Sequence, residues 1–111
     1  MADVMDEIRK EVSENKVLIY MKGTPAFPQC GFSATTVAVF DELGYPYSTV
    51  NILEDQAKRE AVKVFSNWPT IPQVYVNGQF VGGCDIVVEM FESGELKRLL
   101  SEAYAGAPAA S

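Results

Sequence analysis

Val17-Leu18-Ile19-Tyr20-Met21-Lys22-Gly23-Thr24-Pro25-Ala26-Phe27-Pro28-Gln29-Cys30-Gly31-Phe32-Ser33 is the stretch that decides how this chain is read. Its first five residues form a continuous apolar run, the pattern of a strand buried on both faces. A loop rich in breakers follows, Gly23 to Gln29, and then Ala34 to Phe40, which reads as a helix. Cys30 therefore falls where a strand hands over to a helix, near that helix's first turn. Unpaired N–H groups and the positive end of the dipole favour an anion there. A thiolate is such an anion, and cysteines at helix N-termini have lowered pKa values. The competing reading is a small buried apolar residue, as free cysteines often are. A place directly after a Gly/Pro-rich loop argues against depth in the core.

A redox motif at a strand-to-helix junction normally reads Cys-x-x-Cys. Here the fourth position is Ser33. A hydroxyl can hydrogen-bond a sulfur but cannot usefully attack a disulfide at neutral pH. A mixed disulfide at Cys30 thus has no resolving thiol within the motif. The motif suits exchange with an outside thiol, or metal ligation, and is poorly suited to oxidising dithiols. Cys30-Gly31-Phe32-Ser33, preceded by Met21-Lys22-Gly23-Thr24-Pro25, resembles the monothiol glutaredoxins of the Cys-Gly-Phe-Ser type. Ser66-Asn67-Trp68-Pro69-Thr70-Ile71-Pro72-Gln73 and Val81-Gly82-Gly83-Cys84-Asp85 repeat the match in the right order. The resemblance runs from about Val4 to Leu100, with no departure at the functional positions.

Composition bounds the rest. At 111 residues the chain reads as one domain, over residues 1–104, with a flexible tail over 105–111. A net charge of −6 argues against nucleic acid and anionic membrane surfaces. No apolar run approaches the ~18 residues of a membrane span. The acidic segment Met1 to Lys16 resembles neither a secretory signal nor an Arg-rich transit peptide, so the expected location is cytoplasmic. The only cysteines are Cys30 and Cys84, and histidine is absent. That removes Cys–His and Ser–His nucleophile pairs and most zinc sites. Two distant cysteines in a reducing compartment read as functional thiols rather than a disulfide.

Outward from the opening stretch, Asp3 to Glu14 reads as an amphipathic helix with Val4, Met5, Ile8 and Val12 on one stripe and a solvated acidic face. Lys22 ends the buried strand, eight positions before the thiol, and ligands of open α/β sheets bind beyond such strand ends. Pro25 and Pro28 limit the loop's freedom. A helix runs from Cys30 or Phe32 to Leu43 and stops at Gly44. Tyr47 to Ile52 is a second strand, parallel to the first through a right-handed crossover. Asp55 to Phe65 is a third helix, with Ala61, Val62, Val64 and Phe65 inward and Lys58, Arg59 and Lys63 outward; Lys58 and Lys63 read as solvated charges. Trp68 to Pro72 is a rigid turn, and Pro72 opens the strand Gln73 to Val76. Asn77-Gly78 predicts a hairpin into Gln79-Phe80-Val81, so the sheet is mixed. Helices follow over Ile86 to Phe91 and Glu95 to Tyr104.

The resemblance implies a thioredoxin-like α/β fold, a four-stranded mixed sheet flanked by about five helices. It implies that Lys22 and Arg59 meet the glycine carboxylate of glutathione, where a guanidinium can bond two oxygens. It implies that Ile71, before a cis-proline, offers backbone groups to the peptide; on sequence alone a trans proline at a strand start is commoner. A helix N-terminus with small residues binds a carboxylate, and an aspartate takes an ammonium, so Cys84 (through its backbone) and Asp85 fit the γ-glutamyl end. Asp85 as a plain helix cap is the alternative. The loop Thr24 to Gln29 matches an insertion of the monothiol members that leaves room for a metal cluster.

Two functions compete. In one, Cys30 is the nucleophile of a weak glutathione-dependent thiol-disulfide oxidoreductase that removes glutathione from mixed disulfides. In the other, which the resemblance favours, Cys30 is a metal ligand. A [2Fe–2S] cluster takes four thiolates, and two chains with two glutathiones supply four. The resemblance then implies a homodimer when cluster-bound, cluster assembly and transfer to apo iron–sulfur proteins, and pairing with BolA-like proteins.

Overall fold

The computed structural model describes residues 3–105. The apolar run is the strand β1 (Val17–Met21), and all five of its residues are buried. It has a neighbour on each side. β2 (Ser48–Asn51) lies parallel to it, pairing Val50 with Tyr20, and β3 (Gln73–Val76) lies antiparallel, pairing Val74 with Ile19. β4 (Gln79–Gly82) closes the sheet antiparallel to β3, in the order β2-β1-β3-β4. The expected mixed four-stranded sheet is therefore present. Asn77 and Gly78 link β3 to β4 with φ of 52° and 79°, the double left-handed geometry of a type I′ turn.

Alternation along β1 divides two cores. Val17, Ile19 and Met21 face one, covered by α2 (Gly31–Leu43), α4 (Cys84–Ser93) and α5 (Glu95–Ala105). Leu18 and Tyr20 face the other, covered by α1 (Val4–Glu14) and α3 (Gln56–Ser66). Local signals set the ends of these helices. Asp3 and Asp55 accept the N–H groups of Met5 and Lys58 as N-caps, and Gly44, Asn67 and Gly94 stop α2, α3 and α4 in the left-handed region.

The structure corrects several expectations. The second strand is shorter than Tyr47 to Ile52, because the Asn51 side chain accepts Leu53 N–H at 3.0 Å and starts a 3-10 turn over Ile52–Glu54. α4 begins at Cys84 rather than Ile86, its N-cap being the side-chain-less Gly83. Lys58 is buried, not solvated: its ammonium meets Glu11 Oε2 at 2.6 Å and Glu7 Oε1 at 3.7 Å, so the acidic face of α1 is partly an interface. Val64, expected inward, is 72% exposed. Lys58, Ala61, Val62 and Phe65 hold the inward stripe at helical spacing, and Val64 falls outside it. Ala105 ends α5, and the remainder of the expected tail lies outside the described residues.

Candidate functional site

Cys30 is the N-cap residue of α2, in extended conformation with φ −153° and ψ 136°. The helix's first internal bond runs from Ala34 N–H to Cys30 C=O, at 2.9 Å. Hence the N–H groups of Gly31, Phe32 and Ser33 lack intrahelical acceptors. The Ser33 N–H, above all, holds the Cys30 thiol below its ordinary pKa; partial burial opposes this, and the Phe32 N–H, the Lys22 charge and the Ser33 hydroxyl reinforce it. The half-buried thiol is thus biased toward its thiolate.

Ser33 does more than stand where a second thiol would be. It is fully buried, and its Oγ accepts the backbone N–H of Lys22 at 3.1 Å. The loop between them is a closed turn. Gln29 N–H returns to Lys22 C=O at 2.8 Å, and Gly23, at φ +93°, donates to Asn51 Oδ1 at 3.0 Å. Phe27 and Phe32 stand out from this turn and from the first turn of α2, 74% and 62% exposed.

A groove of about 440 Å³ opens beside the thiol. Lys22 from the end of β1, Arg59 from α3, Ile71 before β3, and Cys84 with Asp85 from α4 all line it together with Cys30. Every residue singled out from sequence therefore falls on one groove. Arg59 brings an Nε that is buried with no partner among the described residues. The Ile71–Pro72 bond is cis, and Ile71 is buried. The approach to it is braced by buried Gln73, whose Nε2 donates to Trp68 C=O at 3.0 Å and Thr70 C=O at 3.1 Å. On the opposite wall, Val87 N–H makes the first bond of α4, to Gly83 C=O at 3.0 Å. The N–H groups of Cys84 and Asp85 are left without intrahelical acceptors. A Cβ on Gly83 would sit 3.2 Å from both Pro72 O and Trp68 Nε1, so the two walls approach closely there.

Sequence reasoning missed part of the lining. Trp68, Pro69 and Thr70 read as mere turn formers, yet they floor the groove. Ile86 joins it because α4 starts early. Lys63 also lines it, one turn beyond Arg59, with its ammonium 3.2 Å from Glu60 Oε2. The i, i+4 spacing of Arg59 and Lys63 was the available signal.

Chemically, the groove brings together cations, a helix N-terminus with a carboxylate, and a thiol. Among the described residues no three Cys, His, Asp or Glu side chains converge as a metal site.

Known proteins share the sequence pattern and the fold of this chain. The family model described as Glutaredoxin matches residues 17–81. The chain is 52% identical over 94 residues to a monothiol glutaredoxin of Synechocystis, covering 85% of this chain and 88% of that protein. It is similar to the solution structure of reduced poplar apo GrxS14, with TM-score 0.79, 47% identity, and 90% and 92% of the two chains covered. It is also similar to the crystal structure of a buckwheat glutaredoxin–glutathione complex, with TM-score 0.81, 27% identity, and 92% and 91% covered.

Proposed function

This chain belongs to the glutaredoxin family, as a monothiol member of thioredoxin-like fold, and on that premise we propose that it binds glutathione and carries a labile [2Fe–2S] cluster bridged between two subunits, for assembly of other iron–sulfur proteins. One observation carries the reading: Lys22, Arg59, Ile71, Cys84 and Asp85 share a single groove with a thiol that has no second thiol in its motif. The groove's polarity fits glutathione lying along it. Lys22 and Arg59 take the glycine carboxylate, and the orphaned Arg59 Nε supplies a donor there. Ile71 offers main-chain groups to the cysteinyl portion. The N-terminus of α4 takes the γ-glutamyl carboxylate and Asp85 its ammonium. The ligand's thiol then lies against Cys30. A glutathione complex of a structural relative supports this orientation-free part of the reading, that the fold accepts the tripeptide.

The donor set suits a shared cluster. A cluster ligand must be deprotonated, and Cys30 is held toward its thiolate. One subunit offers one such thiolate, so two subunits and two bound glutathiones complete four. The exposed ring of Phe32, on the groove with the thiol, and that of Phe27, in the preceding loop, provide apolar surface for the second subunit or for a BolA-like partner. Ligands that exchange with free glutathione make the cargo easy to release to an apo-protein. A reducing cytoplasm, where free thiols persist, is the compartment that fits both cysteines. Among the described residues no helix is long and apolar enough to cross a membrane.

The lowered thiol pKa also favours a second activity. The Cys30 thiolate attacks the glutathione sulfur of a mixed disulfide, forming a Cys30–glutathione disulfide and releasing the other thiolate, which takes a proton. A free glutathione thiolate then attacks that disulfide at the bound glutathione sulfur, releasing glutathione disulfide and restoring Cys30.

Anaerobic reconstitution with iron, sulfide and glutathione, followed by gel filtration and iron counting, tests the cargo. The expected product is a coloured dimer whose colour requires glutathione and Cys30. A Cys30→Ser variant that keeps the colour overturns the ligand role, and a colourless monomer leaves thiol exchange as the function.

A further inference from the structure

Two of the groove's cations, Lys22 after β1 and Arg59 in α3, come from different elements, and one carboxylate outside the groove bonds a residue of each element. Glu11 of α1 accepts the Tyr20 hydroxyl on Oε1 at 2.8 Å and the Lys58 ammonium on Oε2 at 2.6 Å. Tyr20 is fully buried in β1, two residues before Lys22. Tyr20 faces α1 and α3, and Lys22 follows directly after Met21, where β1 ends. Lys58 directly precedes Arg59 in the first turn of α3, where Asp55 also fixes its N–H at 3.0 Å. Burial pushes the Lys58 ammonium toward neutrality, but Glu11, Glu7 and Asp55 override it and keep the charge. A charged lysine at a core-facing position tolerates few other placements.

We propose that Glu11 is a positioning residue for the ligand-carboxylate clamp, fixing the end of β1 against the start of α3 so that Lys22 and Arg59 converge. This rests on the glutathione reading above. The alternative is that Glu11 merely fastens α1 to the body. The two differ in coupling: a positioning role acts through Arg59, and a fastening role does not.

A double-mutant cycle separates them, with reduced glutathione as the probe in titration calorimetry. Glu11→Gln keeps the shape and removes the charge. The expected result is a dissociation constant raised roughly three- to tenfold in the wild-type background and unchanged by the same substitution in an Arg59→Ala background. Melting temperature falls equally in both backgrounds. Lys58→Met runs the same cycle if Glu11→Gln does not fold, since it leaves only the half-exposed Glu11 carboxylate to be solvated. An equal loss of affinity in both backgrounds overturns the proposal, as does a wild-type constant for Glu11→Gln beside a raised one for Arg59→Ala. If Arg59→Ala itself leaves affinity unchanged, the glutathione reading fails first and the proposal falls with it.

Discussion

The backbone N–H of Lys22 donates to Ser33 Oγ at 3.1 Å, tying the end of the central strand to the last residue of the thiol motif. Ser33 thus links the two functional positions that flank the loop. Its hydroxyl also contributes to holding the Cys30 thiol down. Ser33→Ala removes both contacts and leaves the part-buried Lys22 N–H unpaired, which costs about 1 kcal/mol. The thiol pKa rises, though modestly, because the Ser33 backbone N–H remains. Urea melts and ultraviolet thiolate absorbance read the two effects. A variant of unchanged stability would refute the role of the hydroxyl.

The depressed thiol pKa has a consequence for stability with a definite sign. An unfolded cysteine titrates near ~8.5, and folded Cys30 titrates lower. Between the two values the unfolded chain binds more protons, so unfolding free energy rises with pH there. The contribution is complete above the unfolded value and is lost as pH falls through the folded one. Cys30→Ser flattens that part of the profile. Alkylation by iodoacetamide, followed against pH, has its midpoint in the same window, below that of a cysteine peptide.

Two glycines eight positions apart, Gly23 and Gly31, behave in opposite ways. Gly23 has φ +93°, and a Cβ there would lie 2.5 Å from Phe27 O. Gly23→Ala therefore breaks the loop that carries Phe27 and destabilises by more than about 1 kcal/mol. Gly31, the first helical residue of α2, has nothing within 4 Å of such a Cβ. Gly31→Ala stabilises by about 0.4–1 kcal/mol, through reduced freedom of the unfolded chain. Thermal melts of the two variants should shift in opposite directions.

Such local rules explain how far the sequence could be read. β1, the Asn77-Gly78 turn and the stop at Gly44 are encoded by residues adjacent in the chain, and each was legible. The start of α4 was not, because Gly83 caps it without a side chain to announce it. Lys58 misled for a different reason. Its position continues the apolar stripe of α3, but its partner Glu11 lies 47 residues away in sequence, and only the folded chain brings them together. Of the expected residues that line the groove, Lys22, Cys30, Ile71, Cys84 and Asp85 lie in three motif segments, whereas Arg59 lies outside them and was named only through the family resemblance. Trp68, Pro69 and Thr70 escaped because their place on the groove depends on how the turn before β3 meets Gly83, at the start of α4. Lys63 escaped because a lysine on a helix is usually solvated.

The orientation of glutathione makes a crossed prediction. If Lys22 and Arg59 hold the glycine carboxylate, Arg59→Ala weakens glutathione strongly and leaves γ-glutamylcysteine, which lacks the glycine, almost unaffected. If Asp85 and the α4 N-terminus hold the γ-glutamyl end, Asp85→Ala weakens glutathione and leaves cysteinylglycine almost unaffected. Each charge-assisted contact contributes about 1.5–3 kcal/mol, hence roughly tenfold or more in affinity. Asp85 is exposed and Arg59 half-buried, so the Arg59 contact is the less screened and the larger of the two. Competition of the three peptides against a fluorescent glutathione conjugate gives all the ratios. A reversed pattern, with Arg59→Ala sparing cysteinylglycine instead, would turn the ligand end for end while keeping the groove.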